Sequence, residues 1–380
     1  MRFTPTVLTG AEETLRKEVR EFLAEELPPG SYRPGLGMNA VHSADFSRKL
    51  AARGWVGMAV PSEYGGHDRS AVDRFIVVEE LLAAGAPVAA HWVADRQTAP
   101  TLLTFGTESQ KLRFLPAICA GECFFAIGMS EPDAGSDLAS VRTRATRVAG
   151  GWSLTGTKVW TSSAHLSHFF VVLCRTGPAE GDRHAGLSQL MVDLSSAGVT
   201  VNPIPFLDGT HHFNEVVLDE VYVPDELVLG DVGMGWQQVT SELAYERSGP
   251  DRFMSTWQVF EAFVAERADA GDVAVEELVG RLTARYWTVR QLSLSVARAL
   301  QQGRAPAVEA AMVKDLGTTL EQEVVRSIMA SMDEEPDPDS SSLFESLLAQ
   351  AVLVAPSYTI RGGTTEVLRS VAAKALRAGG

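Results

Sequence analysis

The spacing of hydrophobic residues changes twice along this chain of 380 residues. In the first third, apolar residues recur three and four positions apart, as at Leu15, Val19 and Phe22, which is typical of amphipathic helices. In the middle third they form short β-branched or aromatic runs bounded by Gly, Pro, Asn or Asp, which indicates strands. The helical spacing then returns. The sequence therefore predicts an α+β protein of three domains: helical over 1–123, β over 124–229 and helical over 230–380.

Acidic residues outnumber basic ones, 48 to 33, so the formal net charge is −15. This excludes a broad nucleic-acid-binding surface, because contacts to phosphates need clustered cations. No apolar run approaches the roughly 18 residues of a membrane helix. The first residues also lack the basic and apolar regions of a signal peptide. We therefore expect a cytoplasmic protein that does not insert into a membrane, with its three cysteines as free buried thiols.

Histidines occur in two local groups. His165 and His168 are three residues apart, and His211 and His212 are adjacent. Neither group has a cysteine or a carboxylate at the spacing that metal ligands usually show. We therefore expect no metal site.

Two short segments combine residues suited to a flat polar ligand. After a strand-like run that includes Ile127, residues 128–137 read GMSEPDAGSD, a turn that can leave backbone N–H groups free for a ring edge or a phosphate. Residues 156–164 read GTKVWTSSA, in which Trp160 precedes three hydroxyl side chains. Taken singly, an ordinary β-turn and a core tryptophan are the simpler interpretations.

Taken together, the order and spacing of these segments resemble the acyl-CoA dehydrogenase family of flavoproteins. Further phrases that resemble the family are GWVGMAVPSEYGG (54–66), FGTESQKLRFLPAICAGE (105–122), HFNEVVLDEVYVP (212–224), GMGWQQV (233–239) and IRGGTTEVLR (360–369). The resemblance spans nearly the whole chain. It implies an N-terminal helical domain, a middle β-barrel or sandwich and a C-terminal four-helix bundle, with FAD between the β domain and the C-terminal helices.

The resemblance also implies roles for individual residues. Those expected to contact FAD are Ile127, Met129, Ser130, Gly135, Ser136, Trp160, Thr161, Ser162, Thr364 and Glu366. Those expected to contact substrate are Ser136, Arg247 and Arg361. For Arg361, a plain surface position is an equally good interpretation.

In this family a carboxylate removes the α-proton of an acyl thioester while a β-hydrogen leaves as hydride to flavin N5. Many members carry that glutamate just before the Gly-Thr of the C-terminal motif, where this chain has Gly362. A second subgroup, which includes the isovaleryl and long-chain enzymes, places it on the first helix after the β domain, before an arginine. Glu246 precedes Arg247 there. The resemblance implies that Glu246 is the catalytic base; the alternative is a helix-surface carboxylate.

Gly362 keeps an implied role in catalysis, because the family polarises the thioester carbonyl with the backbone N–H at this position. One departure concerns the cofactor. Most relatives carry Arg-x-x-Phe-Gly in the second C-terminal helix, where the arginine reaches the FAD pyrophosphate across a dimer interface. Residues 265–272 read AERADAGD and lack it, which leaves Arg267, Arg281 and Arg285 as candidates.

The function implied by the resemblance is FAD-dependent dehydrogenation of an acyl-CoA or acyl-carrier thioester to the trans-2-enoyl thioester. An electron-transferring flavoprotein is the expected electron acceptor, and a homodimer, a tetramer or an assembly with a related subunit is the expected oligomer. In lacking the Arg-x-x-Phe-Gly phrase, the chain also resembles a bacterial branch of the family that is active on sterol side chains. Two alternatives are a flavin-dependent monooxygenase or N-oxidase on the same fold, and one subunit of a heteromeric acyl-CoA dehydrogenase.

Overall fold

The computed structural model describes residues 3–39, 41–179, 181–267, 271–304 and 306–378, with the side chains of residues 39, 242–246, 375, 376 and 378 outside the description. The chain divides into two compact units. The first, named here the helical unit, comprises Met1–Val41, Ser70–Pro87 and Ala244–Gly380. The second, named the sheet unit, comprises His42–Arg69 and Val88–Leu243.

Helices occupy both ends of the chain. In chain order they are α1 (Gly10–Glu26), α2 (Ala44–Ala52), α3 (Ala71–Ala83), α4 (Ala89–Val93), α5 (Ala99–Phe105), α6 (Glu108–Cys119), α7 (Gly235–Glu246), α8 (Trp257–Arg267), α9 (Val273–Gln301), α10 (Ala307–Met329), α11 (Leu343–Val354) and α12 (Thr365–Ala378). In the helical unit α1 packs on α3, α3 packs on α9, and α10 packs on both α9 and α12. Helix α7 runs across the division between the units.

Local sequence explains where several helices begin. In α1, α3 and α6 the residue before the helix and the third residue inside it exchange side-chain and backbone hydrogen bonds, which satisfies two N–H groups that a helix start leaves open. These pairs are Thr9 with Glu12, Ser70 with Asp73, and Thr107 with Gln110. The apolar stripe of α1, including Leu15, Val19 and Phe22, is buried.

The sheet unit is built on one seven-stranded sheet. Its strands are β1 (Phe125–Gly128), β2 (Arg144–Val148), β3 (Gly151–Ser162), β4 (Phe169–Arg175), β5 (Leu187–Asp193), β6 (Val199–Pro205) and β7 (His211–Pro224). The order is β1-β4-β2-β3-β7-β6, with β5 paired to β4. Strand β1 runs parallel to β4, and β3 runs antiparallel to β7. The core of this unit joins apolar residues of α6, such as Phe114 and Ile118, to those of the sheet.

The predicted succession of helical, β and helical segments is confirmed. The three cysteines are free and buried, as expected. None of the described helices is long and apolar enough to cross a membrane. The boundaries proposed after residues 123 and 229 remain proposals.

The stretch from α4 to α5 was not predicted from its pattern. It includes a short π-helical segment, Ala94–Thr98, between the two helices. Ala89, Ala90, Trp92 and Ala94 are all buried, so this stretch has apolar contacts on more than one side. A helix without a single apolar stripe gives little periodic signal in the sequence.

Candidate functional site

The turn that follows β1 is held by a buried ion pair. Lys158, on β3, is fully buried, and its Nζ lies 3.0 Å from the carbonyl oxygen of Met129 and 2.9 Å from Oε1 of Glu131. The Glu131 carboxylate also accepts the backbone N–H groups of Arg142, at 2.6 Å, and Thr143, at 2.9 Å. Burial alone would raise the pKa of Glu131, but Lys158 and these donors outweigh it and hold the pKa below its ordinary value.

The same contacts bring the two predicted cofactor segments together. Lys158 binds the carbonyl of Met129, and the N–H of Val159 donates to the carbonyl of Ser130 at 3.0 Å. Residues just before Trp160 are therefore tied to the first residues of the turn. Ile127, Met129 and Ser130 are half-buried, whereas Gly135 and Ser136 are exposed. The two segments are thus held side by side within the sheet unit, with Gly135 and Ser136 at its surface.

A bulge in β3 presents the tryptophan of the second segment. The pairing of β3 with β7 shifts between Lys158 and Thr161, and Trp160 within the shift has a left-handed φ of 58°. Its indole is 59% exposed and packs edge-on against Phe213, with the ring centroids 5.9 Å apart. A bulky residue in this backbone region is unusual and is often found at a functional site. The structure therefore places Trp160 at the surface, not in the core.

The next residue carries an unsatisfied hydroxyl group. Thr161 is fully buried, and its Oγ1 has no hydrogen-bond partner among the described residues. Its carbonyl accepts a hydrogen bond from the side chain of Asn214 at 2.9 Å, which fixes the backbone here. A buried polar atom is rarely left unpaired in a folded protein, so the edge formed by Trp160, Thr161 and Ser162 fits a ligand with polar groups.

The C-terminal motif forms a tight turn in the helical unit. Gly362 and Gly363 both have left-handed φ angles, 64° and 94°, which favour glycine over any residue with a Cβ atom. No acceptor among the described residues takes the backbone N–H of Gly362. Thr364 lies just before α12 and caps it weakly, with Oγ1 3.4 Å from the N–H of Val367, and Glu366 is exposed in its first turn.

The guanidinium of Arg361 is engaged inside the helical unit. Its Nη2 lies 3.1 Å from Oε2 of Glu321, which is fully buried, and 2.6 Å from Oγ of Ser255. Glu321 also accepts the backbone N–H of Ser255 at 2.8 Å. Arg361 was expected to contact substrate, and these internal contacts account for its charge without a ligand.

One arginine beside the C-terminal motif is not identified as a site residue by the sequence analysis. Arg252 is only 1% exposed and its Nε lies 3.0 Å from Oδ2 of Asp251. A Cβ atom built on Gly362 would lie 3.1 Å from Nη1 of Arg252. A Cβ atom on Gly363 would lie 3.8 Å from Nη2 of Arg247. The available signal was the Pro-Asp-Arg phrase directly after the helix of the expected base, because adjacent opposite charges in a turn are often engaged.

Glu246 is the last residue of α7, and its side chain lies outside the described part of the chain. Of the three arginines considered for the pyrophosphate, Arg281 and Arg285 both pair with Glu323 of α10, at 2.9 and 3.0 Å. Arg267 pairs loosely with its neighbour Glu266.

A cavity of about 400 Å³ also lies within the helical unit, among α1, α3 and α9. Its walls are mainly apolar and include Met254, Trp257 and Trp287. None of the residues expected to bind cofactor or substrate lines it. Among the described residues, no group of three or more histidine, cysteine or carboxylate side chains is placed to hold a metal ion.

Comparison with known proteins covers almost the entire chain. Residues 9–122 match the family model for the N-terminal domain of acyl-CoA dehydrogenase, residues 126–221 the middle domain and residues 233–377 the C-terminal domain. Acyl-CoA dehydrogenase FadE29 of Mycobacterium tuberculosis is 33% identical over 386 residues, covering 96% of each chain. FadE34 of the same organism is 35% identical over 332 residues, which are 86% of this chain and 45% of the length of FadE34.

Solved structures agree with the sequence relatives. The Tcur3481-Tcur3483 steroid ACAD is 29% identical, with a TM-score of 0.87 and 98% of each chain covered. The ChsE4-ChsE5 complex from Mycobacterium tuberculosis is 29% identical, with a TM-score of 0.82, covering 98% of this chain and 97% of that one. With three matching domain models and a relative at 33% identity over 96% of its length, the chain belongs to the acyl-CoA dehydrogenase family, a flavin-dependent family of oxidoreductases that act on CH–CH bonds.

Proposed function

We propose that this chain uses FAD to dehydrogenate an acyl-CoA or acyl-carrier thioester to its trans-2-enoyl thioester. The observation that carries the proposal is that Lys158, on β3 and two residues before the exposed Trp160, binds the carbonyl of Met129, which holds the two segments together at the surface of the sheet unit. We propose a sterol side chain or a fatty acyl group as the acyl part, and the similar solved structure named a steroid ACAD supports a steroid-derived substrate.

The residues of these two segments fit a flavin. Trp160 offers an accessible aromatic face, and the buried hydroxyl of Thr161 has no partner among the described residues and suits a polar ring edge. We propose that Ile127, Met129, Ser130, Gly135, Ser136, Trp160, Thr161 and Ser162 hold the FAD together with Thr364 and Glu366. Bound FAD supplies a hydride acceptor for the β-hydrogen of the substrate.

The chain's own groups would act on the thioester itself. We propose that the Glu246 carboxylate takes the α-proton of the thioester. Negative charge then develops on the carbonyl oxygen. The N–H of Gly362, which has no acceptor among the described residues, is available to donate to that oxygen. A preorganised donor of this kind typically lowers a barrier by about 3 kcal/mol.

Substrate contacts are proposed for Ser136 and Arg247. Ser136 is exposed in the turn after β1, and the Arg247 guanidinium lies beside the Gly362–Gly363 turn. The pairing of Arg361 with Glu321 supports a different part for Arg361, which is to hold the turn from within the helical unit.

The test is the substitution Glu246→Gln. The purified variant is expected to keep its bound flavin and its yellow colour. Because an amide cannot accept the α-proton, anaerobic bleaching by acyl-CoA should slow at least a thousandfold. A panel of acyl thioesters is mixed with the protein under anaerobic conditions and the flavin absorbance is followed.

The matched control is Glu277→Gln, the same change at an exposed position of α9. It should bleach at the wild-type rate. Normal bleaching of Glu246→Gln would show that another group is the base. Absence of bleaching in the wild-type protein with every thioester, combined with turnover that needs O2 and a flavin reductase, would favour a monooxygenase.

We further propose that an electron-transferring flavoprotein accepts the electrons. We also propose that the chain forms an oligomer, either with copies of itself or with a related subunit. Two similar solved structures carry the names of two chains each, Tcur3481-Tcur3483 and ChsE4-ChsE5. Segment 265–272 also lacks the Arg-x-x-Phe-Gly phrase. Light scattering and flavin content of the chain purified alone test this: a colourless product that gains flavin only with a related chain indicates a mixed assembly.

A further inference from the structure

One face of α10 is polar and fully buried. Lys314, Thr318 and Glu321 lie three or four residues apart, and each side chain has no exposed surface. Gly317 lies on the same face, where a Cβ atom would come within 2.4 Å of the carbonyl oxygen of Arg252. Removing an ammonium and a carboxylate from water is unfavourable unless each meets a well-placed partner. The hydrogen-bond partners of Lys314 and Glu321 therefore indicate what this buried face of α10 does.

The buried face of α10 holds the C-terminal motif on both sides of Gly362. On one side Nζ of Lys314 donates a hydrogen bond to the carbonyl of Gly363. On the other side Glu321 accepts the guanidinium of Arg361, with Oε2 3.1 Å from Nη2. The next residue of α10, Gln322, donates to the hydroxyl of Thr359 at 3.2 Å. The turn is thus fixed at alternate residues.

Among the described residues, Gly362 itself is held only through its neighbours. Its N–H has no acceptor among the described residues, and its left-handed φ of 64° comes with no side chain to anchor it. A Cβ atom built on Gly362 would lie 3.1 Å from Nη1 of Arg252, so the guanidinium leaves little room for movement on that side. The direction of the N–H bond is therefore set by how Arg361 and Gly363 are held.

We propose that Lys314 and Glu321 are positioning residues that aim the N–H of Gly362 at the carbonyl oxygen of the thioester. The inference rests on the proposed function, because it gives the N–H a substrate to meet. Oxyanion donors act only when they are fixed in advance at hydrogen-bonding distance from the developing charge. Small misplacements of a catalytic group lower the turnover rate strongly. Lys314 and Glu321 therefore affect kcat, and they leave the binding of the rest of the substrate largely unchanged.

The first test is Lys314→Met, which keeps the length of the side chain and removes its hydrogen bond and charge. We expect kcat to fall at least tenfold while KM changes less than threefold. A second readout is the absorption of bound 4-dimethylaminocinnamoyl-CoA, a coloured enoyl thioester whose band moves to longer wavelength as its carbonyl is polarised. The red shift on binding should be smaller in Lys314→Met than in the wild-type protein.

Glu321→Gln is the second variant. Its amide oxygen can still accept the N–H of Ser255 but carries no charge for Arg361, so we expect a smaller loss in kcat and in red shift. Arg326→Met is the control, because it removes a cation from an exposed position of the same helix. It should leave kcat and the red shift at wild-type values. If Lys314→Met does not fold, Glu321→Gln decides by the same criteria.

Wild-type kcat and red shift in both variants would overturn the inference. A fall in kcat that only follows lost flavin or a lowered melting temperature, with the red shift unchanged, would also overturn it, because Lys314 would then serve stability alone. Failure of the proposed function is distinguishable, since the wild-type protein itself would neither bleach nor shift the dye, and the inference would fall with it.

Discussion

The ammonium group of Lys158 lies 2.9 Å from Oε1 of Glu131, with the two side chains 0% and 7% exposed. This pair connects β3 to the turn after β1, because Lys158 also binds the carbonyl of Met129. The two segments singled out in the sequence are thus held together by a buried side chain of the second segment, together with the hydrogen bond from the N–H of Val159 to the carbonyl of Ser130. The relative position of the two segments in the proposed flavin site therefore depends on this ion pair.

Replacing Lys158 by Met should destabilise the protein strongly. Removing one partner leaves Glu131 buried without its counter-charge, which typically costs about 3–5 kcal/mol. Denaturant unfolding followed by tryptophan fluorescence measures the change. The control is Arg142→Met, whose pair with Asp133 is 80% and 72% exposed, and which should stay within about 1 kcal/mol of wild type. Equal stability of the two variants would show that the buried pair is dispensable.

Replacing Trp160 by Ala should weaken flavin binding without unfolding the protein. The indole is 59% exposed, so its removal leaves the core intact and the free energy of unfolding within about 1 kcal/mol of wild type. Loss of an aromatic contact worth about 1.4 kcal/mol corresponds to a roughly tenfold weaker Kd for FAD. Titration of the apoprotein with FAD, followed by flavin fluorescence, gives this Kd.

Trp287→Ala is the matched control for Trp160. Trp287 is 61% exposed on α9 and is not among the residues proposed to bind flavin. Its removal should leave the Kd for FAD unchanged. If the two variants bind FAD equally well, Trp160 does not contact the flavin.

Replacing Gly128 by Ala should destabilise the end of β1. A Cβ atom there would lie 2.1 Å from Cζ of Phe170, which is fully buried and cannot move aside freely. Overpacking of this kind costs about 1–3 kcal/mol. Gly135→Ala is the control, because a Cβ atom there meets no atom within 4 Å and φ is not left-handed. Thermal unfolding that shows no difference between the two variants would contradict the close contact at Gly128.

Local chemistry accounts for the parts of the fold that could be predicted. The apolar spacing of three and four residues predicts helices in the first third of the chain, and α1 buries its stripe of Leu15, Val19 and Phe22 accordingly. The strands were visible as β-branched runs. The exposure of Trp160 was not, because the bulge that turns it outward depends on how β3 pairs with β7 rather than on the sequence around it.

Contacts distant in the sequence explain what was missed at the C-terminal motif. Arg361 meets Glu321, which is 40 residues away, and Gly363 meets Lys314, which is 49 residues away. In the sequence of α10, Lys314 and Glu321 are indistinguishable from solvent-facing charges, since their spacing also fits an exposed helix face. Only the packing of α10 against the motif shows that they are buried.

Histidine burial predicts a loss of stability in mild acid. His91 on α4 is 5% exposed, with Nδ1 2.8 Å from Oγ of Ser47, and burial lowers its pKa from 6.5 to about 4. The unfolded chain therefore binds a proton more readily than the folded chain between these two values. The stability contributed by His91 is complete above about pH 6.5 and is lost as the pH falls towards 4. His212, whose pKa burial also lowers to about 4, acts in the same window.

The variant His91→Asn cannot take up this proton. When the pH is lowered from 7.5 to 4.5, the free energy of unfolding of the variant should fall by about 2–3 kcal/mol less than that of the wild-type protein. This holds whatever the stability of the variant at pH 7.5. Denaturant unfolding curves at several pH values measure the difference. His67→Asn, at an exposed position, serves as control and should follow the wild-type pH dependence. Parallel curves for His91→Asn and wild type would mean that a different group makes the fold sensitive to acid. His212→Asn would then be the next variant to compare, because burial lowers the pKa of His212 to about 4 as well.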